Sequence, residues 1–206
     1  IFGTQMKEFP TLDIPMVCDM SSDIFSRNID FSKFGIIYAG AQKNMGPAGT
    51  ALVVVKEEIL GKNGRTIPSM LDYAKHIKAE SMYNTPPVFP VYASLLTLQW
   101  LKNLGGIPAI EKINNAKADL LYTEIDRNPL FKGTAVVEDR STMNATFLLD
   151  TPLHTDTFNA MLKEAGVVGL PGHRSVGGYR ASIYNAMPLE SVQVLVDVMK
   201  DLENRV

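Results

Sequence analysis

Tyr38-Ala39-Gly40-Ala41-Gln42-Lys43-Asn44-Met45-Gly46-Pro47 is the stretch on which the reading of this 206-residue chain turns. The run that leads into it, Gly35-Ile36-Ile37-Tyr38-Ala39, has the length and apolar content of a buried strand. Small residues, one amide, one lysine and a Gly-Pro turn follow at once. A strand that ends in a small-residue loop delivers its last side chains to the mouth of a sheet, where α/β enzymes bind ligands. Lys43 is therefore a candidate Schiff-base lysine, able to hold an aldehyde cofactor covalently. Lysines in turns are ordinarily solvated surface groups, so the rest of the chain has to decide between the two readings.

Working outward, Pro15-Met16-Val17-Cys18 is a second short apolar run, closed by Asp19 and the polar Met20-Ser21-Ser22-Asp23. It reads as a strand whose carboxyl end places Asp19 in a loop, although helix caps and turns also favour aspartate. Asp30 with Phe31-Ser32-Lys33-Phe34 reads as a turn before the Gly35 strand. On the far side, Gly49-Thr50-Ala51-Leu52-Val53-Val54-Val55 is continuous, apolar and β-branched, which predicts a strand covered on both faces. Charges, Gly61, Gly64 and Pro68 predict short helical turns and a long connection across 56–83. The paired prolines of Asn84-Thr85-Pro86-Pro87 force extended backbone.

From Phe89 to Leu104 the spacing is helical, with Phe89, Tyr92, Leu96 and Trp100 available to one face and Gly105-Gly106 as the stop. The setting of Trp100, the only tryptophan, predicts core packing. A second helix is expected over 108–126, with Pro108 in its first turn and Ile110, Ile113, Leu121 and Ile125 on its buried side. Shorter elements follow: a strand at 144–149, a helix from Thr155 to Ala165 closed by Gly166, and a glycine-rich, hairpin-like stretch over 172–184 that gathers His173, Arg174 and Arg180. The last helix starts near Pro188 and turns Val192, Leu195, Val196, Met199 and Leu202 inward. The best boundary lies near Asn103, dividing the chain into 1–102 and 103–206.

Composition narrows the function classes. The chain is 46 % hydrophobic and 20 % charged, with a formal net charge of −2; this is ordinary for a globular protein and leaves no basic excess for nucleic acid. No apolar run reaches the length of a membrane span. A single cysteine, Cys18, precludes an intrachain disulfide and fits a reducing, cytoplasmic setting. The opening Ile1-Phe2-Gly3-Thr4 carries neither an initiator methionine nor a signal-type leader, and is expected to be an internal point of a longer chain.

Four pieces taken together match one pattern: Val17-Cys18-Asp19-Met20-Ser21-Ser22, Gly40-Ala41-Gln42-Lys43-Asn44, Asn84-Thr85-Pro86-Pro87, and Gly172-His173-Arg174 with Gly177-Gly178-Tyr179-Arg180-Ala181-Ser182. From about Ile14 to the C-terminus the chain resembles the phosphoserine aminotransferases, pyridoxal 5'-phosphate enzymes of the aspartate-aminotransferase fold type (fold type I). The resemblance implies an α/β fold, with 1–102 the later part of the large mixed-sheet cofactor domain and 103–206 a small C-terminal α+β domain. It implies that Lys43 binds the cofactor aldehyde and shuttles a proton, that Asp19 pairs with the pyridine nitrogen, and that Gln42 binds the cofactor phosphate. It further implies that Asn84 and Thr85 reach the phosphate of a neighbouring subunit's cofactor in a homodimer, that Arg180 holds the substrate α-carboxylate, and that His173 and Arg174 bind the substrate's own phosphate. The implied substrates are glutamate and 3-phosphohydroxypyruvate, in serine biosynthesis, with a related phosphorylated keto acid of pyridoxine biosynthesis as a second. The family's N-terminal Gly-rich phosphate turn, ring-stacking aromatic residue and hydroxyl near the cofactor oxygen have no counterpart in this sequence. An incomplete, inactive piece and a desulfurase of the same fold type, which would need a mobile catalytic cysteine, are the competing readings.

Overall fold

The computed structural model describes residues 1–62, 64–174 and 176–206. Two compact units emerge: Phe9–Gly106, and Ile107–Val206 joined by Ile1–Glu8. The division read at 102/103 falls at Gly106, and the first eight residues go with the C-terminal half of the chain.

In the 9–106 unit, β1 (Val17–Asp19) runs parallel to β2 (Ile36–Gly40), which pairs antiparallel with β3 (Ala51–Val55). The order is β1-β2-β3. Ile37 and Ala39 alternate inward to a core that includes Met20, Ile24, Phe34 and Met45. Both parallel strands therefore carry their carboxyl ends to the same edge of the sheet. The Asp30 turn is present as one turn of 3-10 helix, Phe31–Lys33, with Asp30 accepting from the amide of Ser32. Short turns at Glu57–Ile59 and Ser69–Leu71 precede α1 (Tyr73–Lys78), as the broken pattern over 56–83 predicts.

Two expectations for this unit are corrected. The β3 strand is not covered on both faces: Leu52 and Val54 pack on the core, while Val53 and Val55 line an open groove with Tyr73 and Ile77 of α1. Its antiparallel pairing at the end of a three-stranded sheet leaves the second face half-buried. The helix α2 (Val88–Leu104) forms and stops at Gly105, in the left-handed conformation at φ 114°. Yet Phe89, Tyr92, Leu96 and Trp100 are all exposed, and Trp100 retains 41 % of its surface rather than packing in a core. Apolar residues run round the whole helix, so periodicity selects no inner face; Leu101 is its one buried residue.

In the other unit, α3 (Gly106–Arg127) is followed by β4 (Phe131–Gly133), β5 (Asn144–Leu149), α4 (Thr155–Glu164), β6 (Tyr179–Ser182) and α5 (Leu189–Arg205). The strands form an antiparallel sheet in the order β4-β5-β6. Phe131, Phe147, Phe158 and Tyr179 make its aromatic centre, with ring centroids 5.1–5.7 Å apart. The predicted inward residues of α5, Val192 through Leu202, are buried, and Gly166 ends the α4 region at φ 74°. The N-terminal eight residues lie along this unit: Ser141 N–H donates to the Gly3 carbonyl at 2.9 Å, Gln5 N–H to the Asp139 carbonyl at 2.8 Å, and Thr146 Oγ1 to the Phe2 carbonyl at 3.0 Å.

The polar interior of α3 has no signature in its apolar spacing. Lys117 is wholly buried, and its Nζ donates to the carbonyls of Ile183 (2.9 Å) and Tyr184 (2.8 Å), just past β6. Burial pushes its amine down to about 8. One turn earlier, Asn114 Nδ2 donates to Asn185 Oδ1 at 2.9 Å. Together they fasten the chain that leaves β6.

Candidate active site

Asp19 is the last residue of β1 and stands opposite Tyr38 in the parallel register; Gly40 ends β2 two residues later. Past Asp19 the backbone turns tightly, with Asp23 and Ile24 N–H donating to the Met20 carbonyl at 2.9 and 2.8 Å. Asp23 closes this turn through a two-pronged ion pair with Arg27, at 2.7 and 3.0 Å. Past Gly40 the loop curls so that Met45 and Gly46 N–H both donate to the Ala41 carbonyl. Gly46 and Gly49 then pass beneath α2: a Cβ on either would come within 2.7–2.8 Å of Ser94 or Pro90. Only glycine permits that approach.

Lys43 thus sits on a loop gripped from two sides. Its Nζ donates to Ser22 Oγ at 2.6 Å, and the side chain is half-buried. Its neighbour Asn44 is 3 % exposed and donates through Nδ2 to the carbonyls of Ser22 (3.1 Å) and Ile24 (3.0 Å). The Asp19 carboxylate takes both its bonds on one oxygen: Oδ1 accepts from Ser21 N–H at 2.8 Å and from Ser21 Oγ at 2.6 Å. Among the described residues Oδ2 accepts no hydrogen bond, and Asp19 is exposed. The exposed Gln42 amide folds back over Gly40, into the space a Cβ there would fill. Cys18 lies half-buried on β1, and its thiol is pushed up by burial, then by Asp23 and Asp19.

The structure therefore brings Asp19, Gln42 and Lys43 to one sheet edge, with the adjacent serines 21 and 22 serving the carboxylate and the amine. Asn84 and Thr85 are exposed in the same unit; Asn84 Nδ2 donates to the Thr85 carbonyl at 3.2 Å, and neither bonds to the Lys43 loop. His173, Arg174 and Arg180 belong to the other unit. Arg180 is on β6 opposite Thr146, on the face away from buried Tyr179 and Ala181. Among the described residues no carboxylate pairs with its guanidinium. His173 and Arg174 are exposed in the turn before β6, where the His173 carbonyl accepts from Val176 and Gly177 N–H at 2.9 Å each; Ser175, which falls within the 172–184 stretch, lies outside the described residues. Sequence reasoning assigned no role to Ser21, Ser22 or Asn44. The doubled serine after Asp19 was the available signal.

An amine and a carboxylate at one strand edge fit a pyridine aldehyde. Lys43 would offer an amine to the aldehyde, and the Asp19 carboxylate an acceptor to the ring nitrogen.

Comparison with known proteins supplies the class. The class-V aminotransferase family model matches residues 4–195, and the chain belongs to that family. Its fold is the type-I fold of the pyridoxal-phosphate aminotransferases. A phosphoserine aminotransferase of Flavobacterium johnsoniae is 81 % identical over all 206 residues, which span 58 % of that relative. Among solved structures, the phosphoserine aminotransferase of Bacillus circulans subsp. alkalophilus shares 43 % identity with a TM-score of 0.95, over 100 % of this chain and 57 % of its own. The pyridoxal-phosphate-bound enzyme of Trichomonas vaginalis shares 37 % identity with a TM-score of 0.90, over 96 % of this chain and 57 % of its own. The chain thus spans a little over half the length of the relatives it matches.

Proposed function

We propose that this chain carries the cofactor lysine of a phosphoserine aminotransferase, which moves an amino group between glutamate and 3-phosphohydroxypyruvate. Pyridoxal 5'-phosphate, when bound, supplies an electrophilic aldehyde and an electron-accepting ring. Lys43 would hold the cofactor through its Nζ, and as a free amine would carry the proton at the substrate Cα. Positioned proton transfer of this kind contributes about 10²–10⁴ in rate. Asp19 would pair with the ring nitrogen and favour its protonated form, in which the ring accepts electrons. Gln42 binds the cofactor phosphate. The guanidinium of Arg180 suits two-pronged capture of the substrate α-carboxylate, and His173 and Arg174 take the substrate phosphate.

On this reading the 9–106 unit is the later part of the large cofactor domain and the other unit the small domain. Asn84 and Thr85 act across a homodimer, sharing active sites. The enzyme works in the cytoplasm in serine biosynthesis, with a phosphorylated keto acid of pyridoxine biosynthesis as a second substrate. The observation that carries the proposal is the pairing of Lys43 with Ser22 and of Asp19 with Ser21 at one parallel-strand edge. A desulfurase is disfavoured, because Cys18 is fixed in a strand with its thiol pushed up, the reverse of a ready nucleophile.

The test is to mix the chain with pyridoxal 5'-phosphate, reduce with borohydride and map the added mass by peptide sequencing. The label is expected on Lys43, and loss of the bound chromophore on adding glutamate then separates transaminase from desulfurase. A label elsewhere, or none on folded protein, overturns the assignment.

A further inference from the structure

One hydroxyl joins the two halves of the proposed site. Ser21 Oγ lies 2.6 Å from Asp19 Oδ1 and 3.0 Å from the amide nitrogen of Gly40. The direction of each bond follows from the inventory of donors. An amide N–H can only donate, so Gly40 donates to Ser21 Oγ, and the serine's own proton is left to point at the carboxylate. The result is a directed relay: Gly40 N–H to Ser21 O–H to Asp19 carboxylate.

The relay exists because of where the strands stop. β1 pairs with β2 only as far as Asp19 opposite Tyr38, and Met20 N–H adds one more bond, to the Tyr38 carbonyl at 2.8 Å. Gly40 is two residues further along β2, so its N–H faces the side β1 has just vacated. A strand amide at that point needs an acceptor. Ser21, on the turn leaving β1, supplies one. Its hydroxyl therefore closes the sheet ladder and orients the carboxylate with the same oxygen atom. Gly40 in turn opens the loop that carries Gln42 and Lys43.

We infer that Ser21 is a positioning residue, fixing Asp19 against the head of the lysine loop so that carboxylate and amine keep a set separation across one pyridine ring. The inference rests on the cofactor reading above. Hydrogen bonds in series polarise one another, and bonds to an ionised acceptor are the stronger kind. Removing the hydroxyl leaves Asp19 with the Ser21 amide alone and frees its carboxylate to rotate about its side chain. Ser22 cannot substitute, since its own hydroxyl serves Lys43.

The experiment compares Ser21→Ala, Ser21→Thr and the parent in the full chain with pyridoxal 5'-phosphate. Three quantities are read: the cofactor dissociation constant, the pH midpoint of the bound chromophore's absorbance, and the melting temperature without cofactor. Ser21→Ala is expected to weaken binding about tenfold or more, the scale of one charge-assisted bond, and to move the chromophore midpoint by at least about half a pH unit. Borohydride still fixes the cofactor on Lys43, and Ser21→Thr, which keeps the hydroxyl, restores both quantities. A role confined to folding would instead lower the melting temperature and leave the chromophore midpoint in place, which overturns the inference. If Ser21→Ala fails to fold, Ser21→Cys keeps the size with a weak donor and is expected to show the same shift. A parent chain labelled on Lys43 with unshifted Ala and Cys variants overturns this inference alone. A parent that takes no label on Lys43 overturns the cofactor reading and this inference with it.

Discussion

Asp19 and Tyr38 are register partners in the parallel ladder of β1 and β2, so the carboxylate leaves the sheet at the edge where β2 releases the lysine loop. A parallel pair points both carboxyl ends the same way, and an antiparallel pair would have sent Asp19 to the opposite edge from Lys43. The chemistry proposed for the site depends on that direction.

Replacing Asp19 by alanine separates attachment from catalysis. Asp19 is exposed and its bonds are to Ser21 alone among the described residues, so the fold is expected to persist. Borohydride labelling of Lys43 continues, while the glutamate half-reaction of the whole enzyme slows by about 10²-fold or more, the scale of one preorganised electrostatic contact. Single-turnover absorbance measures it; an unchanged rate would remove Asp19 from the mechanism.

Gly40→Ala tests the Gln42 placement. The new methyl would overlap the Gln42 amide, the far end of a flexible side chain, and Gly40 needs no left-handed backbone. The expected result is a melting point shifted by only a few degrees, with cofactor affinity reduced several-fold because the amide is pushed from its seat. Titration of cofactor fluorescence decides it, and unaltered affinity counts against Gln42 as a ligand.

Lys117 gives the protein a pH dependence of definite sign. Folded, its amine titrates at about 8; unfolded, it returns to the ordinary 10.5. Between those values the unfolded chain binds more protons, so stability rises with pH. The cost of burying the cation is present in full below about pH 8 and is relieved by about pH 10.5, a gain on the order of a few kcal/mol. The neutral amine keeps two N–H donors for the carbonyls of Ile183 and Tyr184. Urea midpoints from pH 7.5 to 10.5 should rise relative to those of Lys117→Met; parallel curves would refute the buried-cation account.

Two glycines distinguish crowding from conformation alone. Gly178 has φ 62°, and a Cβ there would overlap Leu148 Cδ2 and stand 2.8 Å from the Phe147 carbonyl oxygen. Gly166 has φ 74° with nothing within 4 Å of such a Cβ. Gly166→Ala should cost about 1–2 kcal/mol for the left-handed backbone, and Gly178→Ala clearly more. Thermal melts of the two variants read the difference, and equal losses would mean that the β5 contact is soft.

Much of this architecture was legible beforehand for physical reasons. Ile36–Gly40 and Ala51–Val55 are short apolar runs bounded by breakers, and α5 repeats its apolar residues at helical spacing. Lys43 stood out because a lysine at a strand end among small residues is unusual. Trp100 and its neighbours misled, since apolar residues surround α2 and their spacing singles out no inner side. Lys117 was invisible for a different reason: its partners are backbone carbonyls 66 and 67 residues away, which no local pattern encodes. Ser21 hid in the same way, its acceptor role being to an amide 19 residues on.

The eight residues at the start of the chain lie along the unit made by 107–206, tied there through Phe2, Gly3 and Gln5. The polypeptide consequently contributes to that unit from two separate places, and a piece cut down to 107–206 would lose the backbone partners that Gly3 and Gln5 give to Ser141 and Asp139.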